Sequence, residues 1–265
     1  MKKIIDAHIH LDQYEERDVR TIIKGDPSVE ALIAVSTDLT SCQATKEIAA
    51  CYEQVFPAYG FHPEQPLPHE KELSELIHWM DRHQDEMIAV GEVGLPYYLR
   101  REYGLSLGPY MELLEELIVK SKSWQKPLVL HAVYEDAAVV CDLLEKHSIA
   151  KAHFHWFKGD EKTIDRMMQN GYYISITPDV LYENEIRELV KKSPLEQMMV
   201  ETDGPWPFEG PFTGRQTHPS MMHKSIEEIA KLKGRAKTDI YSIVRKNTID
   251  FYQLKELGDK RKSEQ

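Results

Sequence analysis

The chain alternates between short apolar runs rich in β-branched residues and longer stretches in which apolar residues recur every three or four positions. The short runs predict strands over residues 3–11, 31–36, 55–61, 87–94, 127–133, 150–157, 171–177 and 197–201. The longer stretches predict helices over 41–52, 70–83, 106–122, 134–146, 160–170 and 183–191, with two more over 221–233 and 238–254. Strands that alternate with helices build parallel sheets, because each crossover must return the chain to the start of the next strand. Eight such alternations predict an α/β fold, a closed single-domain (β/α)8 TIM barrel over residues 1–254. Residues 255–265 are polar and are expected to form a solvated tail.

The exceptions within the apolar runs are chemically selective. In IIDAHIHL, residues 4–11, side chains alternate between strand faces, which puts Asp6, His8 and His10 on one side. Histidines two apart on one face stand roughly 7 Å apart at Cβ, so both rings can reach one metal ion. Further polar residues fall at other strand ends. They are His62 in GFHP, Glu92 in IAVGEVGL, His131 in PLVLHAV, His153 and His155 in AHFHWFKG, and Glu201 and Asp203 in MMVETDGP. A barrel gathers its functional side chains at the C-terminal ends of its strands. A lone histidine there can be core filler, but a buried carboxylate needs a cation or a proton. Imidazole and carboxylate together suit Zn, Mn or Mg. The stretch DGPWPFEGPFTGRQTHP, residues 203–219, is dense in Pro and Gly and follows the last strand, which assigns it to the same face.

Composition narrows the class. The chain has 265 residues, 42% hydrophobic and 29% charged, as in ordinary globular proteins. No run is long and apolar enough to predict a membrane span. The start, MKKIIDAHIH, lacks the apolar core of a secretion signal, so a cytoplasmic location is expected. Cys42, Cys51 and Cys141 are odd in number and widely spaced, and are expected to be free thiols in packing roles. A net charge of −11 argues against a surface built to coat duplex nucleic acid. It leaves room for an enzyme that grips a few phosphates in a local pocket.

Taken in order, DAHIHL, FHP, GEVGL, VLHA, HWFKG and ETDGP resemble the TatD family of metal-dependent deoxyribonucleases, within the amidohydrolase-like barrel superfamily. The resemblance runs from about residue 4 to Leu254. It implies two divalent metal ions, Mg, Mn or Zn. His8, His10, Glu92 and Asp203 would hold one, and Glu92, His131 and His155 the other. Glu92 would bridge them, and Asp203 would also act as general base. The implied reaction is hydrolysis of phosphodiester bonds at single-stranded or frayed DNA ends. His62, Lys158 and Arg215 are expected to contact phosphate, and Trp156, Trp206 and Tyr98 to stack on bases. His153 does not match the family pattern on its strand and is expected to be barrel filler or a support. Other positions depart as well: Pro96 stands where the family has Asp, Glu64 replaces the second histidine of H-P-H, Gly204 replaces Ala, and Trp156 and Lys158 replace Cys and Ser. These departures keep two alternatives open. One is a hydrolase of small amide, lactone or phosphoester substrates. The other is a non-catalytic subunit of a larger assembly that retains a vestigial site.

Overall fold

The computed structural model describes residues 2–254. The tail expected over 255–265 lies outside the described residues. The strands are β1 (Ile4–Ile9), β2 (Val29–Ala34), β3 (Val55–Tyr59), β4 (Ala89–Gly94), β5 (Leu128–His131), β6 (Ala152–Phe154), β7 (Tyr173–Ile176) and β8 (Met198–Val200). Their order in the sheet is their order in the chain, and every adjacent pair is parallel. The helices are α1 (Glu16–Gly25), α2 (Leu39–Cys51), α3 (Glu70–Arg82), α4 (Tyr97–Tyr103), α5 (Gly108–Trp124), α6 (Glu135–Lys146), α7 (Glu161–Gln169), α8 (Asn184–Lys192), α9 (Met222–Lys233) and α10 (Lys237–Tyr252).

All eight predicted helices are present, together with two that the sequence pattern does not predict. Helix α1 buries only Val19, Ile22 and Ile23 among charged neighbours, a stripe too short to stand out. Helix α4 buries only Tyr97. It is held instead by a carboxylate from another loop, as described below. None of the described helices is long and apolar enough to cross a membrane. Cys42 and Cys141 are buried as expected, whereas Cys51, at the end of α2, is exposed and does not pack.

The barrel closes between β1 and the segment that follows β8. The Asp203 N–H donates to the His8 carbonyl at 2.9 Å, and the His10 N–H donates to the Gly204 carbonyl at 2.8 Å. Ile9 and Gly204 form a parallel bridge. Asp6 reinforces this seam. Its carboxylate accepts the Thr202 N–H at 2.9 Å and the Thr202 hydroxyl at 2.5 Å. Strict alternation predicts Asp6 beside His8 and His10. Instead its side chain curls back to accept the His8 N–H at 3.3 Å, and the β1–β2 register shifts between Asp6 and Ile9. Asp6 is therefore a clasp for the seam.

A small apolar cluster including Ile5, Ala7, Ile33, Ala58, Val129 and Met199 packs with Phe251 and Tyr252 of α10. The larger cluster joins the strands to the surrounding helices. His153 lies where these meet, fully buried, with Nδ1 2.7 Å from the Tyr252 hydroxyl and Nε2 2.5 Å from Ser175 Oγ. Burial holds it neutral, its pKa well below the usual imidazole value. It serves as polar filler with both nitrogens satisfied.

Gly94 of β4 pairs with His131 of β5. A Cβ at Gly94 would lie 1.9 Å from the His131 carbonyl oxygen. Gly94→Ala must force the two strands apart, and is expected to lower the unfolding free energy by about 2 kcal/mol or more, read from the shift in urea midpoint. An unshifted midpoint would show that this contact does not set the strand spacing.

Candidate metal centre

Six side chains from separate parts of the chain meet at the C-terminal mouth. His8 belongs to β1 and His10 follows it; Glu92 lies in β4 and His131 ends β5; His155 follows β6 and Asp203 follows β8. All are buried except His131, which is partly so. Glu92 Oε2 lies 3.2 Å from His8 Nε2 and 3.3 Å from His10 Nε2. Asp203 Oδ1 lies 3.3 and 3.4 Å from the same two nitrogens, which are 3.4 Å apart. Four donors bonded at 2.0–2.1 Å to a tetrahedral ion would be separated by about 3.3–3.4 Å. These five separations match that spacing.

The other oxygen of Glu92 faces a second group. Oε1 is 2.6 Å from His155 Nε2, 3.1 Å from His131 Nδ1 and 3.3 Å from His62 Nε2. His131 Nδ1 and His155 Nε2 are 3.3 Å apart. Among the described residues, three sets of donor atoms are close enough to hold an ion: His8, His10 and Glu92; His62, Glu92 and His131; and His8, His155 and Glu201. Glu92 Oε2 and Asp203 Oδ1 are buried and have no hydrogen-bond partner. Buried carboxylate oxygens aimed only at imidazoles fit a divalent cation, which supplies the missing charge.

The electrostatics agree with that fit. Burial works against ionisation of Glu92, but the imidazoles of His155, His62 and His8 hold its carboxyl well below the usual range. Asp203 is also buried, and contacts with His10 and His8 draw its pKa down. Burial disfavours a charge on His10 and His131, yet the facing carboxylates raise both to about 9. His155 moves the other way, to about 4, mainly through burial, which leaves a lone pair free for a cation. Its ring stacks on His8 with centroids 3.9 Å apart.

Glu201 stands just below. Burial pushes its pKa up to about 8, so it is mostly neutral at pH 7. It accepts the Trp156 N–H at 2.7 Å and the Ser175 hydroxyl. The first bond braces the turn after His155, where Trp156 has a φ of 35°. His155 Nδ1 is 3.9 Å away, beyond hydrogen-bond reach.

The residues predicted to contact substrate divide into two groups. His62 joins the donor cluster itself. Tyr98 is 49% exposed, with its ring 6.4 Å from that of His131. Tyr97 and Tyr134 continue this aromatic edge at centroid spacings of 5.1 and 4.8 Å. Trp206, 57% exposed, donates its N–H to the Asp203 carbonyl and so stands on the rim. Trp156 is committed to packing. Its indole donates to Asp179 at 2.6 Å, rests against Phe208, and has the Lys158 ammonium 5.6 Å from its ring centre. Arg215 is exposed, and its side chain makes no hydrogen bond or ion pair with any described residue.

Two neighbours of the cluster are given no site role by the sequence reading. Tyr134 has φ 51° and ψ −131°, a conformation unusual for a bulky residue and invisible in a sequence. Glu64 Oε1 lies 3.2 Å from His131 Nε2. Its signal was a carboxylate two positions after His62, which an alternation argument confined to strands cannot weigh.

Comparisons with known proteins agree with this centre. The TatD related DNase family matches residues 5–253, from β1 through α10. A Haemophilus influenzae protein described as an uncharacterized metal-dependent hydrolase is 36% identical over 253 residues, 95% of this chain and 100% of that one. The human deoxyribonuclease TATDN3 is 26% identical over 261 residues, 94% of each chain. The crystal structure of YjjV, a TatD homologue from Escherichia coli K12, shares the fold with a TM-score of 0.84, covering 95% of this chain and 98% of that one at 22% identity. Because the family match spans almost the whole barrel, this chain belongs to the TatD related DNase family and is a metal-dependent hydrolase.

Proposed function

We propose that the protein is a deoxyribonuclease that hydrolyses phosphodiester bonds at single-stranded or frayed DNA ends with two divalent ions, Mg, Mn or Zn. The observation that carries this reading is the divided environment of Glu92, with one oxygen facing His8 and His10 and the other facing His131 and His155. On this reading His8, His10, Glu92 and Asp203 hold one ion, while Glu92, His131 and His155 hold the other. Ions held there would supply Lewis-acid polarisation of a phosphoryl oxygen and a lowered pKa for water.

The side chains supply the rest. Asp203 takes the proton of the attacking water as the new P–O bond forms and the bond to the leaving oxygen breaks. Its Oδ2 accepts no hydrogen bond from a described residue. His62, partly exposed beside Glu92, donates to a phosphate oxygen. Tyr98 and Trp206 offer stacking faces at the rim, and Lys158 adds one positive charge. The net charge of −11 limits the footprint to a strand end. The name of the human relative, a deoxyribonuclease, supports the substrate class. A small-substrate hydrolase is the second reading. It is favoured by the Glu64 carboxylate at the mouth, which a phosphodiester would meet as like charge.

Wild-type protein is expected to cleave a labelled single-stranded oligonucleotide when Mg²⁺, Mn²⁺ or Zn²⁺ is added. Glu92→Gln and Asp203→Asn should each lower the rate by about 100-fold or more. Unchanged rates would refute the assigned roles, and turnover of small esters or amides without oligonucleotide cleavage would select the second reading. Tyr98→Ala should raise the KM for the oligonucleotide about tenfold with kcat nearly unchanged, the effect of losing one stacked base. An unchanged KM would remove Tyr98 from the binding surface.

Metal uptake should also release protons. His10 and His131, drawn up to about 9 in the metal-free protein, are protonated at pH 7.5 and must lose a proton to bind. The apparent affinity should therefore rise between pH 6.5 and about 9 and flatten above. Calorimetry in two buffers of different ionisation enthalpy measures the release. Identical heats in both would contradict the protonated resting state.

A further inference from the structure

We propose that Glu64 is a positioning residue that turns His131 Nδ1 toward Glu92 and His155 and thereby sets the affinity of the second ion site. The inference rests on the two-ion reading above and deepens it.

The four candidate ligand histidines are not supported alike. His8, His10 and His155 each leave Nδ1 buried with no hydrogen-bond partner. Among these four, only His131 has a carboxylate within hydrogen-bond distance of each ring nitrogen. Nδ1 lies 3.1 Å from Glu92 Oε1, and Nε2 lies 3.2 Å from Glu64 Oε1. A carboxylate can only accept at Nε2, so when the ring gives up a proton to bind a cation the remaining one stays at Nε2 and the Nδ1 lone pair is freed. It also stops the ring from flipping about its outer torsion, which would exchange the two nitrogens. A carboxylate behind a metal-bound imidazole is a recurring device for holding the ligand in its productive tautomer and orientation.

Glu64 is itself held in place. Its carboxylate accepts the Tyr98 N–H at Oε1, 2.9 Å away, and the Leu99 N–H at Oε2, 2.6 Å away. Its own N–H donates to His62 Nδ1 at 3.2 Å. One side chain thus ties the loop after β3 to the first turn of α4 and to the end of β5. Helix α4 buries little apolar surface, so this tie also keeps it against the mouth.

The test is stepwise titration of metal-free protein with Zn²⁺ by calorimetry at fixed pH. Wild type should show two binding events. In the isosteric Glu64→Gln variant, the first event should stay within about twofold of wild type, and the second should weaken by about 10–100-fold. Retention of the first event reports that the barrel remains folded, and the melting temperature of the metal-free variant provides an independent check. Two events at wild-type affinity in the variant would overturn the role of Glu64 and leave the two-ion reading standing. Equal weakening of both events would also overturn it, because Glu64 would then act on the whole mouth. A single event in the wild type would overturn the two-ion reading and this inference with it.

Discussion

Glu92 has no exposed surface, and Asp203 is 2% exposed. Removing a carboxylate from water costs several kcal/mol unless a cation or a dense set of donors replaces the lost hydration. Here the replacement consists of imidazoles drawn from β1, β5 and the segments after β1, β3 and β6. No local stretch of chain could assemble that set, whereas a closed barrel can. The dependence runs both ways, because the hydrogen bonds that close the barrel join His8 to Asp203 and His10 to Gly204. The seam of the fold and part of the buried donor cluster are built from the same residues.

Polarity changes in steps below the mouth. The charged centre rests on a neutral relay in which Tyr252, His153, Ser175 and Glu201 are hydrogen-bonded in turn. Beneath and around it, the apolar cluster capped by Phe251 and Tyr252 fills the barrel. Burial keeps His153 and Glu201 uncharged near pH 7, so the relay adds no charge to compete with Glu92 and Asp203 for a cation. Through the Trp156 N–H, which donates to Glu201, it steadies the turn that carries His155.

The architecture was legible in the sequence because the strands of a parallel barrel are covered on both faces and read as continuous apolar runs. Against that background a histidine or glutamate at a strand end is conspicuous, which is why the donor residues could be named before any contact was known. Where legibility failed, the deciding contact was not periodic. Asp6 left its expected face because its side chain bonds to the His8 N–H and to Thr202. Helix α4 is held by Glu64 more than by an apolar stripe, and although Glu64 stands out as a departure from H-P-H, its contacts with α4 and His131 cannot be read from spacing. Residues on the 203–219 loop were the hardest to place. Trp206 reached the rim, while Arg215 points to no described partner, and nothing in their spacing distinguishes them.

Anomalous X-ray diffraction from crystals loaded with Mn²⁺ or Zn²⁺ addresses the central claim most directly. Two peaks are expected on opposite sides of the Glu92 carboxylate, one in contact with His8, His10 and Asp203 and the other with His131 and His155. A single peak, or peaks away from Glu92, would contradict a two-ion centre organised around that carboxylate.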